Sequence, residues 1–193
     1  LVFLRQHGVV NIEKINEGIK MYKLKKATKE DIDQLIDLRI LEQINDWKDL
    51  CTITSENLKQ LSQATRKSFL KRLNKDLIMF VIKKDDKIVA QAGLLLQTFL
   101  PQMDDFIGKR AYLCNVFTIE TERRKKLQLI LSDEIVKYCQ NEGIRRIDLH
   151  ASLSQEIFDM YKKLGYQFVT NNARLLIENY HYNNLKIDTI ERE

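Results

Sequence analysis

Phe158-Asp159-Met160-Tyr161-Lys162-Lys163-Leu164-Gly165-Tyr166, with Leu149-His150-Ala151-Ser152 a few residues before it, decides how this chain is read. Ile144–Ala151 reads as a strand, and Ser152 or Ser154 then caps a helix that runs to Leu164. Gly165 is the C-terminal stop, because glycine enters the left-handed conformation without steric cost. Tyr166–Thr170 and Arg174–Glu178 read as a closing pair of strands.

Upstream, Ala111–Ile119 is an apolar strand that runs through Thr118-Ile119-Glu120-Thr121-Glu122 into Arg123-Arg124-Lys125-Lys126. A helix follows at once, with Leu127, Leu131, Ile135 and Tyr138 at three- and four-residue spacing, ending near Gly143. Such a strand–turn–helix junction turns backbone N–H groups and the positive end of the helix dipole outward, which suits phosphate. Basic residues at a helix start are usually just solvated, and they oppose that dipole. Four together have a reason to be there only if an anion binds.

Further out, Tyr22–Ala27 alternates in part and reads as a first strand. Thr28 with Asp31 resembles a capping box before a helix carrying Ile32, Leu35, Ile36 and Ile40 on one face. Ser55 is expected to cap a second helix whose apolar side is Leu58, Leu61, Phe69, Leu70 and Leu73. Leu77–Ile82 and Ile88–Leu96 are two strands joined by a hairpin at Asp85-Asp86. The order is β-α-α-β-β-β-α-β-α-β-β, a mixed α/β (α+β) arrangement with antiparallel hairpins and βαβ crossovers.

The 193 residues suit one domain and bury a sizeable core. A single proline and six glycines exclude a Pro/Gly-rich linker. No apolar run approaches a membrane span. Three cysteines (Cys51, Cys114, Cys139) without paired spacing suit a reducing compartment, so a cytoplasmic protein is expected; Cys114 and Cys139 read as packing residues. The net charge of +5 favours an anionic ligand without indicating nucleic acid. No metal is expected. Residues 1–20 read as a leader or non-native extension, because Glu17-Gly18 back-translates to GAAGGA, a ribosome-binding sequence just before Met21. The alternative is a genuine short helix from Asn11 to Lys20.

Met160–Tyr166 resembles the C-terminal signature of the GNAT (Gcn5-related N-acetyltransferase) family, a helix ending in Leu-Tyr-x-x-Leu-Gly-Phe. The basic turn falls where that family has its coenzyme A motif, and the resemblance covers residues 21–180, leaving 181–193 as a tail. It implies a mostly antiparallel sheet flanked by helices and acetyl-CoA as cosubstrate. It implies that Asn115, Val116, Phe117 and Thr118 offer backbone groups to the pantetheine arm from a strand that splays from its neighbour. The pyrophosphate would lie on Arg123, Arg124, Lys125, Lys126, Leu127 and Gln128, with Arg123 opening an Arg/Gln-x-x-Gly-x-Gly/Ala turn. Lys126 and Gln128 replace its two glycine positions, making the turn degenerate, and Ser154 stands where many relatives have a cofactor-contacting asparagine.

Tyr161 is implied as the general acid that protonates the departing thiolate, and it also touches the cofactor. His150 is the candidate base, although a lone histidine on a strand is more often structural. Trp47, Asp46, Asp49, Asp104 and Asp105 lie in segments that flank the acceptor site in the family.

Three readings follow. The first is an N-acetyltransferase acting by direct transfer on a primary amine of a small molecule or peptide. The second is a GNAT-fold sensor that binds a ligand without turnover. The third is a module for an anionic partner such as RNA, against which counts the absence of any aromatic residue within the basic run. No membrane partner is expected, and a homodimer is left open.

Overall fold

The computed structural model describes residues 22–103, 105–150 and 155–167. Among these the order is β1 (Tyr22–Lys26), a 3-10 turn (Lys29–Asp31), α1 (Ile32–Trp47), α2 (Ser55–Arg72), β2 (Leu77–Lys84) and β3 (Lys87–Thr98). It continues through β4 (Lys109–Thr118), a second 3-10 turn (Glu120–Glu122), α3 (Leu127–Asn141), β5 (Ile147–Asp148) and α4 (Gln155–Lys163). The five strands lie in the order β1-β2-β3-β4-β5, antiparallel except for the parallel β4–β5 pair.

The sheet is covered on both faces, which explains the unbroken apolar run of β2. Ile78, Phe80 and Ile82 pack with Leu127, Leu131, Ile135 and Cys139 of α3. Their neighbours Leu77, Met79 and Val81 pack with Leu35, Ile36 and Leu38 of α1 and Phe69 of α2. Each such fully buried side chain contributes roughly 2 kcal/mol. The Asp85-Asp86 hairpin forms as expected, with φ of 49° and 60° at the two turn residues.

The Thr28–Asp31 capping box also forms, but it opens the 3-10 turn, and α1 follows from Ile32. Asp31 is buried between Lys25 and Lys83, each 2.7 Å away. Burial pushes its carboxyl up, yet hydrogen bonds from Lys25, Lys83 and the Thr28 amide outweigh that and hold it well below the usual range.

Four expectations are corrected. The N-cap of α2 is Thr54, not Ser55: the Thr54 hydroxyl accepts from the Asn57 amide, and Ser55 is the first helical residue. Leu70 is 56% exposed, because the apolar stripe of α2 is narrower than its sequence suggests and is finished by Phe69 and Leu73. Of the described part of the strand expected over 144–151, only Ile147–Asp148 pairs with β4. Asp105 is buried in its loop by Arg110 and Gly108, so it is a structural group and not an exposed acceptor-site carboxylate. The residue 1–20 leader, Ser152, Ser154, Asp104, the strands expected beyond residue 167 and the 181–193 tail lie outside the described residues.

Candidate active site

β5 pairs with β4 only through Ala111↔Ile147 and Tyr112↔Asp148. Beyond Tyr112, β4 has no strand partner on that side among the described residues, so the backbone of Asn115, Val116, Phe117 and Thr118 borders an opening. In the same stretch the ladder to β3 slips between Gln91 and Gly93, and Asn115 has a φ of 51°. This is a β-bulge with one extra residue in β4. Gly93 lies close beneath it: a Cβ there would lie 2.5 Å from Met79 Sδ and 3.2 Å from the Cys114 carbonyl oxygen, so the Met79 side chain would have to shift. Opposite Phe117, the amide of the fully buried Gln91 has no partner among the described residues.

The turn before α3 takes a defined shape from within. Glu122, 6% exposed, accepts from the Tyr22 hydroxyl, from Lys84 at 3.0 Å and from Lys125 at 2.8 Å. The hydrogen bond from Lys125, with those from Tyr22 and Lys84, holds its carboxyl down at about 2. Lys125 is exposed, with its ammonium paired to Glu122. Arg123 donates to the Thr118 carbonyl at 3.3 Å and lies over the Phe117 ring. Arg124 and Lys126 are exposed and both left-handed, at φ of 65° and 61°.

Lys126 is the N-cap of α3 in that left-handed conformation, so a lysine holds the backbone shape usually given to glycine. No side chain caps α3, and no acidic residue lies in its first turn. The Leu127 side chain is buried in the core, so only its backbone is available to a ligand. Gln128 turns back onto the sheet: its Nε2 donates to the Phe117 carbonyl (3.1 Å), Thr118 Oγ1 (2.9 Å) and the Gln91 carbonyl (3.4 Å). Its bulk thus tightens the strand ends at the bulge.

Tyr161 of α4 is buried at 7% exposure and meets Tyr166 edge-on at 5.4 Å. Burial, and then the charge of Glu42, pushes its phenol up to about 12. At neutral pH it keeps its proton. His150, just past β5, is exposed, and its Nδ1 shares a hydrogen bond with the Tyr112 hydroxyl.

Glu42 of α1 escaped the sequence reading. It is half-buried, with its Oε2 2.9 Å from Arg39 Nη1. Burial, against the pull of Arg39, pushes its carboxyl up. Its charge is felt by Cys114 as well as by Tyr161. The available signal was its spacing: Glu42 follows Leu35 and Leu38 by seven and four residues, which places a carboxylate in the apolar stripe of its helix.

Between α1, α2 and the sheet lies a cleft of about 310 Å³, lined by Arg39, Thr65, Ser68, Arg72, Cys114 and Asn115 among others. Burial pushes the Cys114 thiol up to about 11, so it stays a thiol, in keeping with a packing role. A second groove of about 300 Å³ is lined by Trp47, Cys51, Ile53, Leu58 and Leu61. Asp46 and Asp49 are exposed at the end of α1, and Asp46 contributes to raising the Glu42 carboxyl.

The fold is similar to that of a predicted acetyltransferase from Clostridium acetobutylicum crystallised with acetyl-CoA. That likeness has 23% identity and a TM-score of 0.72, covering 84% of this chain and 100% of that one. A GCN5-related N-acetyltransferase from Ralstonia eutropha is similar at 16% identity and a TM-score of 0.67, over 80% of this chain and 98% of that one. Glucosamine-6-phosphate N-acetyltransferase from Arabidopsis thaliana is similar at 18% identity and a TM-score of 0.57, over 82% and 99%. No curated protein matches the sequence. Among the described residues no helix is long and apolar enough to cross a membrane. The model of the acetyltransferase (GNAT) family matches residues 41–166, from α1 through the Tyr161–Tyr166 signature, and the chain belongs to that family.

Proposed function

We propose that this chain is an acetyl-CoA-dependent N-acetyltransferase that moves an acetyl group directly to a primary amine, in a reducing compartment such as the cytoplasm. One observation carries the reading. Tyr161 keeps its phenolic proton in the core beneath α3, and Glu42 of α1, its carboxyl raised by burial, acts on that phenol through its charge. That is the acid–base pair that aminolysis of a thioester needs.

The chain fits coenzyme A in three respects. The first-turn N–H groups of α3 lack a capping side chain. Arg123, Arg124 and Lys126 are exposed beside them, and among the described residues the edge of β4 from Asn115 to Thr118 has no strand partner on the β5 side, which suits a pantetheine arm. Acetyl-CoA, when bound, supplies the acetyl group as a thioester. Glu42 takes the proton of the acceptor ammonium. The amine nitrogen then forms the C–N bond as the C–S bond breaks, Tyr161 gives its proton to the leaving thiolate, and the second proton shed by the nitrogen restores the phenol.

Glu42 is favoured over His150 as the base because burial raises it towards the working pH and its charge acts at Tyr161. Thiol release with acetyl-CoA across a panel of amines is the test. Tyr161→Phe and Glu42→Gln are each expected to lower kcat by about a hundredfold while CoA binding stays within about twofold. Since Glu42 must be ionised to act, the wild-type rate should fall on the acid side, with its midpoint above the ordinary glutamate value. An unchanged rate in Glu42→Gln with a loss in His150→Gln would transfer the role to His150. CoA binding without thiol release from any amine would favour the sensor reading.

A further inference from the structure

The cleft between α1 and α2 carries a chemistry that the acid–base pair does not need. Its polar lining consists of two guanidinium groups, Arg39 from α1 and Arg72 from α2, with the hydroxyls of Thr65 and Ser68. Thr65, Ser68 and Arg72 stand at i, i+3 and i+7, so they share one face of α2. Leu77, Leu95, Ala64 and Phe69 complete an apolar floor, and among the described residues no carboxylate lines the cleft.

Neither arginine is used up by its partner. Arg72 gives Nε and Nη2 to Asp76, at 3.0 Å and 2.8 Å from Oδ2, which among the described residues leaves Nη1 without a partner. Arg39 gives Nη1 to Glu42 at 2.9 Å, and among the described residues its Nε and Nη2 have no hydrogen-bond partner. Two guanidinium groups with spare donors, in a partly desolvated cleft ending at Cys114 and the Asn115 bulge, are suited to a planar anion.

We infer that the acceptor is a small primary amine that also bears an anionic group, a carboxylate or a phosphate, held by Arg39 and Arg72. The inference rests on the N-acetyltransferase reading above and names the substrate class of that same site. Recognition and chemistry are joined through Arg39, because an anion drawn to it adds negative charge beside Glu42. That charge raises the proton affinity of the carboxylate and makes it a stronger base. A neutral amine in the same cleft lacks this effect.

The test compares amines of nearly matched basicity with and without the acid: 4-aminobutyrate against butylamine, and phosphoethanolamine against ethanolamine. Thiol release should favour the anionic member of at least one pair by about tenfold or more in kcat/KM, and the better pair identifies carboxylate or phosphate. In Arg72→Lys and Arg39→Gln the preference should collapse to less than about twofold, mainly through KM in the first and through both KM and kcat in the second. Equal or better rates with both neutral amines overturn the inference while leaving the enzymatic reading intact. Absence of thiol release with all four amines sinks the enzymatic reading. Binding then decides: with CoA present, 4-acetamidobutyrate or N-acetyl-phosphoethanolamine should raise the Tm by at least about 2 °C, and N-butylacetamide should not. No shift with either acid overturns the inference.

Discussion

The helices α2 and α3 begin in opposite ways. At α2, Thr54 and Asn57 satisfy each other's backbone and side-chain groups, and Glu56 adds an acid that complements the dipole. At α3 no side chain among the described residues caps the first turn, no acid lies within it, and cations crowd in front. The rigidity that a cap would give comes instead from Glu122, which ties the turn to Tyr22 of β1 and Lys84 of β2. One helix start is finished by its own chain. The other is held firmly from behind and left open in front, the arrangement expected where the missing partner is a ligand anion.

The sharpest way to break this comparison is at the open end. Arg124→Glu with Lys126→Glu should weaken CoA binding by about a hundredfold and leave Tm within about 2 °C, by titration calorimetry and thermal melting. A loss of Tm without a loss of affinity would make these cations structural. Next in size, Glu122→Gln should destabilise by about 2 kcal/mol, because it strips the partner from Lys84, Lys125 and the Tyr22 hydroxyl.

The same group gives the comparison a pH dependence. The Glu122 carboxyl is held at about 2, below its ordinary 4.5, so its contribution is fully present above about pH 4.5. It is lost as the pH falls towards 2, and Glu122→Gln should flatten stability over that window in acid melts. Thr54→Ala, at the closed end, should cost about 1 kcal/mol and lower Tm by about 3 °C without touching CoA affinity. The smallest effect belongs to Lys126→Gly. Relieving a left-handed lysine should stabilise by about 0.5 kcal/mol, after the backbone entropy that glycine loses.

Much of this was legible in the residues themselves. The Tyr161–Tyr166 signature, the Asp85-Asp86 hairpin and the unbroken apolar run of β2 each state a local rule that the fold obeys. What was hidden depends on contacts distant in sequence. Nothing local says that Gln128 folds back to Phe117, or that Lys126 adopts a glycine's angles, since lysine is only permitted there at a cost. Glu42 was missed because a helix is read by its apolar stripe, and a carboxylate within that stripe is passed over unless its spacing is asked about. The expected strand over 144–151 failed in its pairing, because β propensity cannot say where a neighbour departs.

The bulge at Asn115 acts as a phase slip. Gly93 pairs with Cys114 and Gln91 with Phe117, so two steps along β3 are matched by three along β4. Cys114 and Phe117, an odd number of residues apart, therefore both pack against the α1–α2 side. Deleting Asn115 would reverse the parity of all that follows in the strand. Phe117 would trade faces with Val116, and the turn before α3 would set out from the wrong side of the sheet. A single left-handed residue thus fixes which way the downstream half of β4 looks.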